Sequence, residues 1–154
     1  MSSIELDDIT VNNQHVLKVI NTNVLPTVYP EEFYKGSLNG FSKFAYYGEV
    51  PVGAIKAKLI VPQHHKVPTS VYIESLAVLE PYRHKGIGKK LVEYAIEQAK
   101  TSYVHELTLH VWVKQPEVKQ WYERLGFEEK EVIPGYYSQQ KLDQPDAILM
   151  SLKV

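Results

Sequence analysis

Residues 76–91 read Leu76-Ala77-Val78-Leu79-Glu80-Pro81-Tyr82-Arg83-His84-Lys85-Gly86-Ile87-Gly88-Lys89-Lys90-Leu91. An apolar, strand-like run passes through a short basic loop and enters a stretch of helical periodicity. The first turn of a helix presents backbone N–H groups without intrahelical partners and the positive end of the helix dipole. Gly86 and Gly88 would let a phosphate approach that backbone, so the chemistry this segment suits is the binding of a diphosphate. It carries no Gly-Lys-Ser/Thr sequence of a Walker loop and no G-x-G-x-x-G dinucleotide pattern. An ordinary strand-to-helix turn with solvated basic side chains is the alternative reading.

Other reactive residue types are sparse. The chain has no cysteine, which excludes a disulfide framework, a thiolate metal site and a cysteine nucleophile together. It also fits a reducing compartment. His64-His65 have no acidic partner beside them and read as a solvated loop, so no metal is expected. No Ser-His-Asp order is suggested by motif context.

The elements that must position the loop are legible in the pattern of apolar residues. Ile4 and Leu6 alternate with polar residues as a short strand. From Asn12, an expected N-cap, Val16, Leu17, Ile20 and Val24 recur at helical spacing and stop before Pro26. Pro30-Glu31-Glu32 opens a short second helix. Residues 44–47 and 50–55 read as a hairpin, the second strand continuing through 58–61. Pro62 to Pro68 form a hairpin loop, and Val71 to Leu79 a central strand, apolar except at Glu74 and Ser75. A helix over Gly86 to Lys100 buries Ile87, Leu91, Tyr94, Ala95 and Ala99. A strand over Glu106 to Trp112, a helix over Pro116 to Leu125 closed by Gly126, and strands near 127–132 and 147–152 complete the chain. The order predicts an α+β fold, one domain over 1–154 with a mixed central sheet flanked by helices.

Composition agrees with that class. Of 154 residues, 44% are hydrophobic and 23% charged, enough apolar mass for a core. A formal net charge of -1, with both signs interspersed, gives no field to recruit nucleic acid or an anionic membrane. Met1 to Asp8 lack a basic region followed by an apolar run, and no stretch approaches the roughly 18 apolar residues of a membrane helix. The expected location is therefore cytoplasmic, with the nucleus as a second site.

The loop also carries a resemblance. Arg83-His84-Lys85-Gly86-Ile87-Gly88 resembles the R/Q-x-x-G-x-G/A signature of the GCN5-related acetyltransferases, whose loop amides hold the pyrophosphate of acetyl-CoA. Trp121-Tyr122-Glu123-Arg124-Leu125-Gly126-Phe127 resembles that family's tyrosine-bearing helix ending in Gly-Phe. Further segments are similar to the NatE catalytic subunit, or San acetyltransferase, family: Leu25-Pro26-Thr27-Val28-Tyr29, Phe33-Tyr34, Ala45-Tyr46, Val52-Gly53-Ala54, Val71-Tyr72-Ile73, Leu109-His110-Val111 and Gly135-Tyr136-Tyr137.

What the resemblance implies is an enzyme that moves acetyl from acetyl-CoA to protein N-termini, typically methionine followed by a hydrophobic residue, by direct transfer in a ternary complex. Such transfer needs a neutral amine, a stabilised oxyanion and a protonated thiol. An α-amine, with a pKa of roughly 7.7–8.0, is partly neutral already. Tyr72 and His110 match catalytic positions, His110 as base and Tyr72 as its partner. Histidine has a suitable intrinsic pKa. Tyr122 would donate to the departing thiolate or hold the cofactor. Backbone N–H groups around Leu76 and Val78 would polarise the thioester carbonyl, while Arg83, His84, Lys85, Gly86, Ile87, Gly88, Lys89 and Gln115 would contact the cofactor. Leu25, Pro26, Val28 and Tyr29 on one side, and Tyr136 and Tyr137 on the other, would line the peptide slot. A satisfied core histidine and ordinary tyrosine packing are the alternatives for these residues.

Three positions depart from the family pattern. Gln115 stands where asparagine is frequent, Leu25 replaces an aromatic, and Glu74 stands where a neutral residue is usual. Glu74 would anchor the substrate's ammonium group or change the preferred N-terminus. The resemblance also implies association with NatA-type auxiliary and catalytic subunits and, through them, the ribosome. A docking subunit with weak or no activity is the competing class, and a lysine or small-molecule acetyltransferase with an open groove is a third.

Overall fold

The computed structural model describes residues 4–26, 28–36, 41–140 and 142–154. Thr27, quoted above, and Met1 to Ser3 lie outside them. In chain order the elements are β1 (Ile4–Asp8), α1 (Gln14–Val24), α2 (Glu31–Lys35), β2 (Lys43–Tyr47), β3 (Val50–Ile60), β4 (Ser70–Val78), α3 (Ile87–Thr101), β5 (Glu106–Trp112), α4 (Pro116–Arg124), β6 (Glu128–Ile133) and β7 (Ala147–Lys153). A 3-10 turn over Glu80–Tyr82 follows β4. The strands make one seven-stranded sheet in the order β1-β2-β3-β4-β5-β7-β6. It is mixed: β4 and β5 are parallel, whereas β1/β2, β2/β3, β5/β7 and β6/β7 are antiparallel.

The expected α+β order is observed, with small shifts in bounds. Asn13 rather than Asn12 precedes α1, and its carboxamide accepts from the Thr10 N–H at 2.6 Å instead of capping the helix. Helix α3 starts one residue later than expected, because Gly86 lies in the left-handed region at φ 80°.

Two compact units are present. The described residues of Met1–Lys58 and Ile73–Gln98 form one, and Leu59–Tyr72 with Ala99–Val154 the other. In the first, Ile9, Leu17, Ile20, Tyr34, Phe44, Ala54 and Ala77 pack as a core, with Leu25, Tyr29 and Phe33 against it. In the second, Val71, Leu107, Leu109, Val111, Phe127 and Met150 are buried. Strand β5 buries alternate residues, Leu107, Leu109 and Val111, as a strand with one closely packed face does. Along β4 the alternation is strict after Val71: Ile73, Ser75 and Ala77 are buried, and Tyr72, Glu74, Leu76 and Val78 lie half-buried on the other face. The sequence had suggested two apolar faces here.

Candidate active site

The phosphate-type loop belongs to the first unit. Strand β4 ends at Val78, and the Leu79 N–H donates to the Val52 carbonyl at 2.8 Å. Gly53 makes the close pairing of this end possible: a Cβ there would stand 3.0 Å from the Ala77 carbonyl oxygen. The Arg83 side chain turns back, its Nε donating to the Val78 carbonyl at 3.0 Å. That bond ties the loop to the end of the strand.

His84 and Gly86 both have positive φ, 63° and 80°. For histidine this conformation costs of order 1 kcal/mol, and such strain concentrates at binding sites. The Lys90 N–H donates to the Gly86 carbonyl at 3.0 Å, so Gly86 is the first acceptor of α3. The N–H groups of Ile87, Gly88 and Lys89 then form the open first turn. A Cβ at Gly86 would meet nothing within 4 Å. Arg83, His84, Lys85 and Lys89 are exposed around this turn. A turn of this kind suits an anion, through its backbone N–H groups, the helix dipole and the cationic side chains around it. Lys90 is occupied otherwise, its Nζ donating to the Ile4 carbonyl.

Tyr72 and His110 lie in the second unit on neighbouring strands. The parallel register pairs Tyr72 with Thr108, and His110 stands two residues further along β5 on the same face. The Tyr72 hydroxyl is 2.6 Å from His110 Nδ1 and 3.1 Å from the Tyr136 hydroxyl. Tyr136 stacks on the imidazole with ring centroids 4.0 Å apart, and Tyr137 meets Tyr136 edge-on at 4.9 Å. The segment carrying these tyrosines is fixed by Asp146, whose Oδ1 accepts from the Gly135 N–H at 2.8 Å. Burial lowers the His110 pKa from its ordinary 6.5, so the imidazole stays neutral through the physiological range. Neutral His110 with Nδ1 unprotonated accepts from the Tyr72 hydroxyl.

Tyr122 is buried on α4, edge-on to Trp121 at 4.9 Å and to Phe127 at 5.4 Å. Gln115 precedes α4, half-buried, its N–H donating to the Trp112 carbonyl at 3.0 Å. On the first unit's side, Leu25 and Tyr29 pack on the core and Tyr29 stacks on Phe33 at 4.0 Å. Pro26 is half-buried and Val28 exposed.

Glu74 is held by two lysines that sequence reasoning missed. Lys56 Nζ pairs with Oε2 and Lys58 Nζ with Oε1, the latter at 3.1 Å. Alternation along β3 was the available signal, since Lys56 and Lys58 share a face. Among the described residues no three His, Asp or Glu side chains gather as a metal site, and no helix is long and apolar enough to cross a membrane. A cavity of about 310 Å³, bordered by Pro68, Thr69, Tyr103, His105, Glu106 and Lys153, includes none of the expected site residues.

Comparison with known proteins follows the same lines. The profile of the acetyltransferase (GNAT) family matches residues 14–127. The probable N-acetyltransferase san of Drosophila melanogaster is 33% identical over 149 residues, covering 95% of this chain and 78% of the relative. N-alpha-acetyltransferase 50 of Danio rerio is 32% identical over 147 residues, covering 94% and 84%. Among solved structures, Arabidopsis thaliana Naa50 in complex with the bisubstrate analogue CoA-Ac-MVNAL superposes with a TM-score of 0.87 at 31% identity, covering 97% of both chains.

Proposed function

The chain belongs to the acetyltransferase (GNAT) family and is an acetyl-CoA-dependent N-α-acetyltransferase; from that premise we propose that its acceptors are protein N-termini, methionine followed by a hydrophobic residue, and that transfer is direct in a ternary complex. The observation that carries this reading is the 2.6 Å contact of the Tyr72 hydroxyl with His110 Nδ1. It supports His110 as a neutral base oriented by Tyr72.

Acetyl-CoA supplies the activated thioester. Its pyrophosphate suits the turn at Gly86, where the N–H groups of Ile87, Gly88 and Lys89 are open, with Arg83, His84, Lys85 and Gln115 as further contacts. Backbone N–H groups around Leu76 and Val78 polarise the carbonyl on which negative charge develops. The amine nitrogen bonds to that carbonyl carbon, and the carbon–sulfur bond breaks. The amine's proton passes through the Tyr72 hydroxyl to His110, while Tyr122 protonates the departing sulfur and later recovers a proton from solvent. Lacking cysteine, the chain offers no thiol for a covalent acyl-enzyme, which favours direct transfer. Leu25, Pro26, Val28, Tyr29, Tyr136 and Tyr137 contact the peptide. Glu74, with both oxygens engaged by lysines, acts on the peptide through that cluster rather than as a free carboxylate.

A cytoplasmic and nuclear location is a further part of this proposal, as is association with NatA-type subunits and the ribosome, which rests on the family resemblance. Co-sedimentation of the purified chain with ribosomes, with and without NatA-type subunits, checks the latter. The central experiment is acetyl transfer to a peptide panel with Met-Leu, Ser, Ala and acidic N-termini, plus an N-terminally blocked peptide with an internal lysine. Transfer to free Met-Leu ends is expected. Transfer to the blocked peptide alone would overturn the reading.

A further inference from the structure

His110 and Trp112 stand two residues apart on the half-buried face of β5, about 7 Å from Cα to Cα. Both meet the loop between β6 and β7, on different arms of it. Tyr136, on the first arm, stacks on the His110 imidazole at 4.0 Å. On the second arm the Gln144 carbonyl accepts from the Trp112 indole Nε1–H at 3.0 Å. The arms are joined on both sides of Tyr136. The Gly135 N–H donates to Asp146 Oδ1 and the Tyr137 N–H to the Pro145 carbonyl, each at 2.8 Å. A circuit of contacts thus leaves β5 at Trp112 and returns to it at His110.

Three observations give the indole weight in that circuit. Among the described residues, none of 134–140 or 142–146 is buried, so polar contacts rather than a packed apolar anchor set the place of the loop. The β5–β7 ladder ends with Trp112 opposite Ala147, and the Val113 N–H extends it only to the Asp146 carbonyl, at 3.1 Å. Further along the second arm, Lys114 Nζ lies 3.7 Å from Asp143 Oδ2 in an exposed pair, which adds little. Gln144 itself is left-handed, at φ 47°, a strained conformation for a residue with a side chain, which persists only where its surroundings impose it. Its carbonyl accepts both the indole N–H and the Asp146 N–H, the latter at 2.8 Å, and so uses both lone pairs.

We propose that Trp112 is a positioning residue of the active site: its indole N–H, acting through Gln144 and Asp146, holds Tyr136 over the His110 base. The inference rests on His110 as the base of the N-terminal transfer read above. Without the indole donor the second arm is released, and the first arm follows it through Pro145 and Asp146. Tyr136 then covers the imidazole less closely, and the wall that Tyr136 and Tyr137 offer the peptide loses its order. The aromatic groups against the imidazole are two phenols, Tyr72 from β4 and Tyr136 from the loop, and burial is the cause of its lowered pKa. Loosening the cover therefore raises that pKa.

The test follows the His110 imidazole by NMR titration and the peptide KM by steady-state kinetics in the same set of proteins. Trp112→Phe keeps a ring on β5 and removes the donor. Benzothienylalanine at position 112, with sulfur in place of the indole N–H, removes the donor alone and covers the case in which the phenylalanine variant folds poorly. Both should let the His110 pKa climb toward 6.5 and raise the KM for a Met-Leu peptide about two- to tenfold, the weight of one hydrogen bond. Acetyl-CoA affinity by calorimetry should not change. Asp146→Ala should reproduce both effects, and Asp146→Asn, whose carboxamide oxygen still accepts from Gly135, should restore wild-type values. In a Tyr136→Ala background, Trp112→Phe should move the His110 pKa no further. An unchanged pKa and KM in Trp112→Phe, whatever its stability in urea, overturns the proposal, as does a further rise in the Tyr136→Ala background. No transfer by wild type to any N-terminus would instead overturn the acceptor reading, and the titrations would still decide whether Trp112 places Tyr136.

Discussion

The Tyr136 ring lies nearly parallel to the His110 imidazole, with planes 18° apart and centroids separated by 4.0 Å. Yet Tyr136 itself is 42% exposed, so the imidazole is shielded by a residue that water reaches. Replacing Tyr136 by alanine should let the His110 pKa climb back toward 6.5, because desolvation is what lowers it. Tyr136→Phe should leave that titration nearly unchanged while removing the hydroxyl contact to Tyr72, lowering kcat/KM by roughly two- to tenfold. Following the imidazole resonances of the three proteins by NMR separates cover from hydrogen bonding.

The same depressed pKa fixes a direction for the pH profile. The base is active when neutral, so at saturating peptide the acid limb of kcat should fall below pH 6.5. The acceptor amine, at roughly 7.7–8.0, should govern kcat/KM from higher pH. Linkage has a matching sign: the unfolded histidine binds protons first, so the His110 contribution to stability is present above 6.5 and lost as pH falls through the folded pKa. Urea unfolding of wild type and His110→Gln across that window reads it directly.

His110→Ala should lower kcat by about 10²- to 10⁴-fold, the usual weight of a general base. Tyr72→Phe should cost less, since imidazole remains. Acetyl-CoA affinity, measured by calorimetry, should survive in both. If it were lost along with the rate, a folding defect rather than missing proton transfer would explain the result.

At Gly86 the backbone is left-handed and a Cβ would project into open space. Gly86→Ala therefore meets no clash within the chain, only backbone strain of about 1–2 kcal/mol, which corresponds to a melting shift of roughly 2–8 °C. The added methyl would stand where a phosphate must approach. The dissociation constant for acetyl-CoA should rise several-fold; an unchanged constant would place the pyrophosphate elsewhere.

Removing the Glu74 charge strands Lys56. Glu74→Gln should destabilise the fold by about 3–5 kcal/mol, because an enclosed ammonium loses its counter-charge. Pairing it with Lys56→Met should recover most of that loss, and a urea double-mutant cycle checks the coupling.

Much of the framework was legible because it rests on local pattern. Alternation placed β5 over Glu106–Trp112 with the bounds it has in the structure, and the basic, glycine-containing run announced the turn into α3. What escaped depends on chain segments far apart. Glu74 read as an isolated charge because its partners Lys56 and Lys58 appear only once β3 and β4 are aligned. Tyr136 read as a wall residue because nothing local brings it onto His110. The expected cap at Asn12 failed because a turn in which the Thr10 N–H donates to Asn13 Oδ1 sets the start of α1 one residue later.

Strand β4 behaves as a ruler. Tyr72, Glu74, Leu76 and Val78 occupy alternate graduations on one face, so the roles proposed for them would be joined by covalent spacing alone. Inserting or deleting a single residue between Tyr72 and Val78 would turn the marks beyond it to the buried side. Side chains on this ruler can be exchanged, and Glu74 is one such exchange; its length cannot. Evolutionary drift in substrate choice should therefore be written here in substitutions and never in indels.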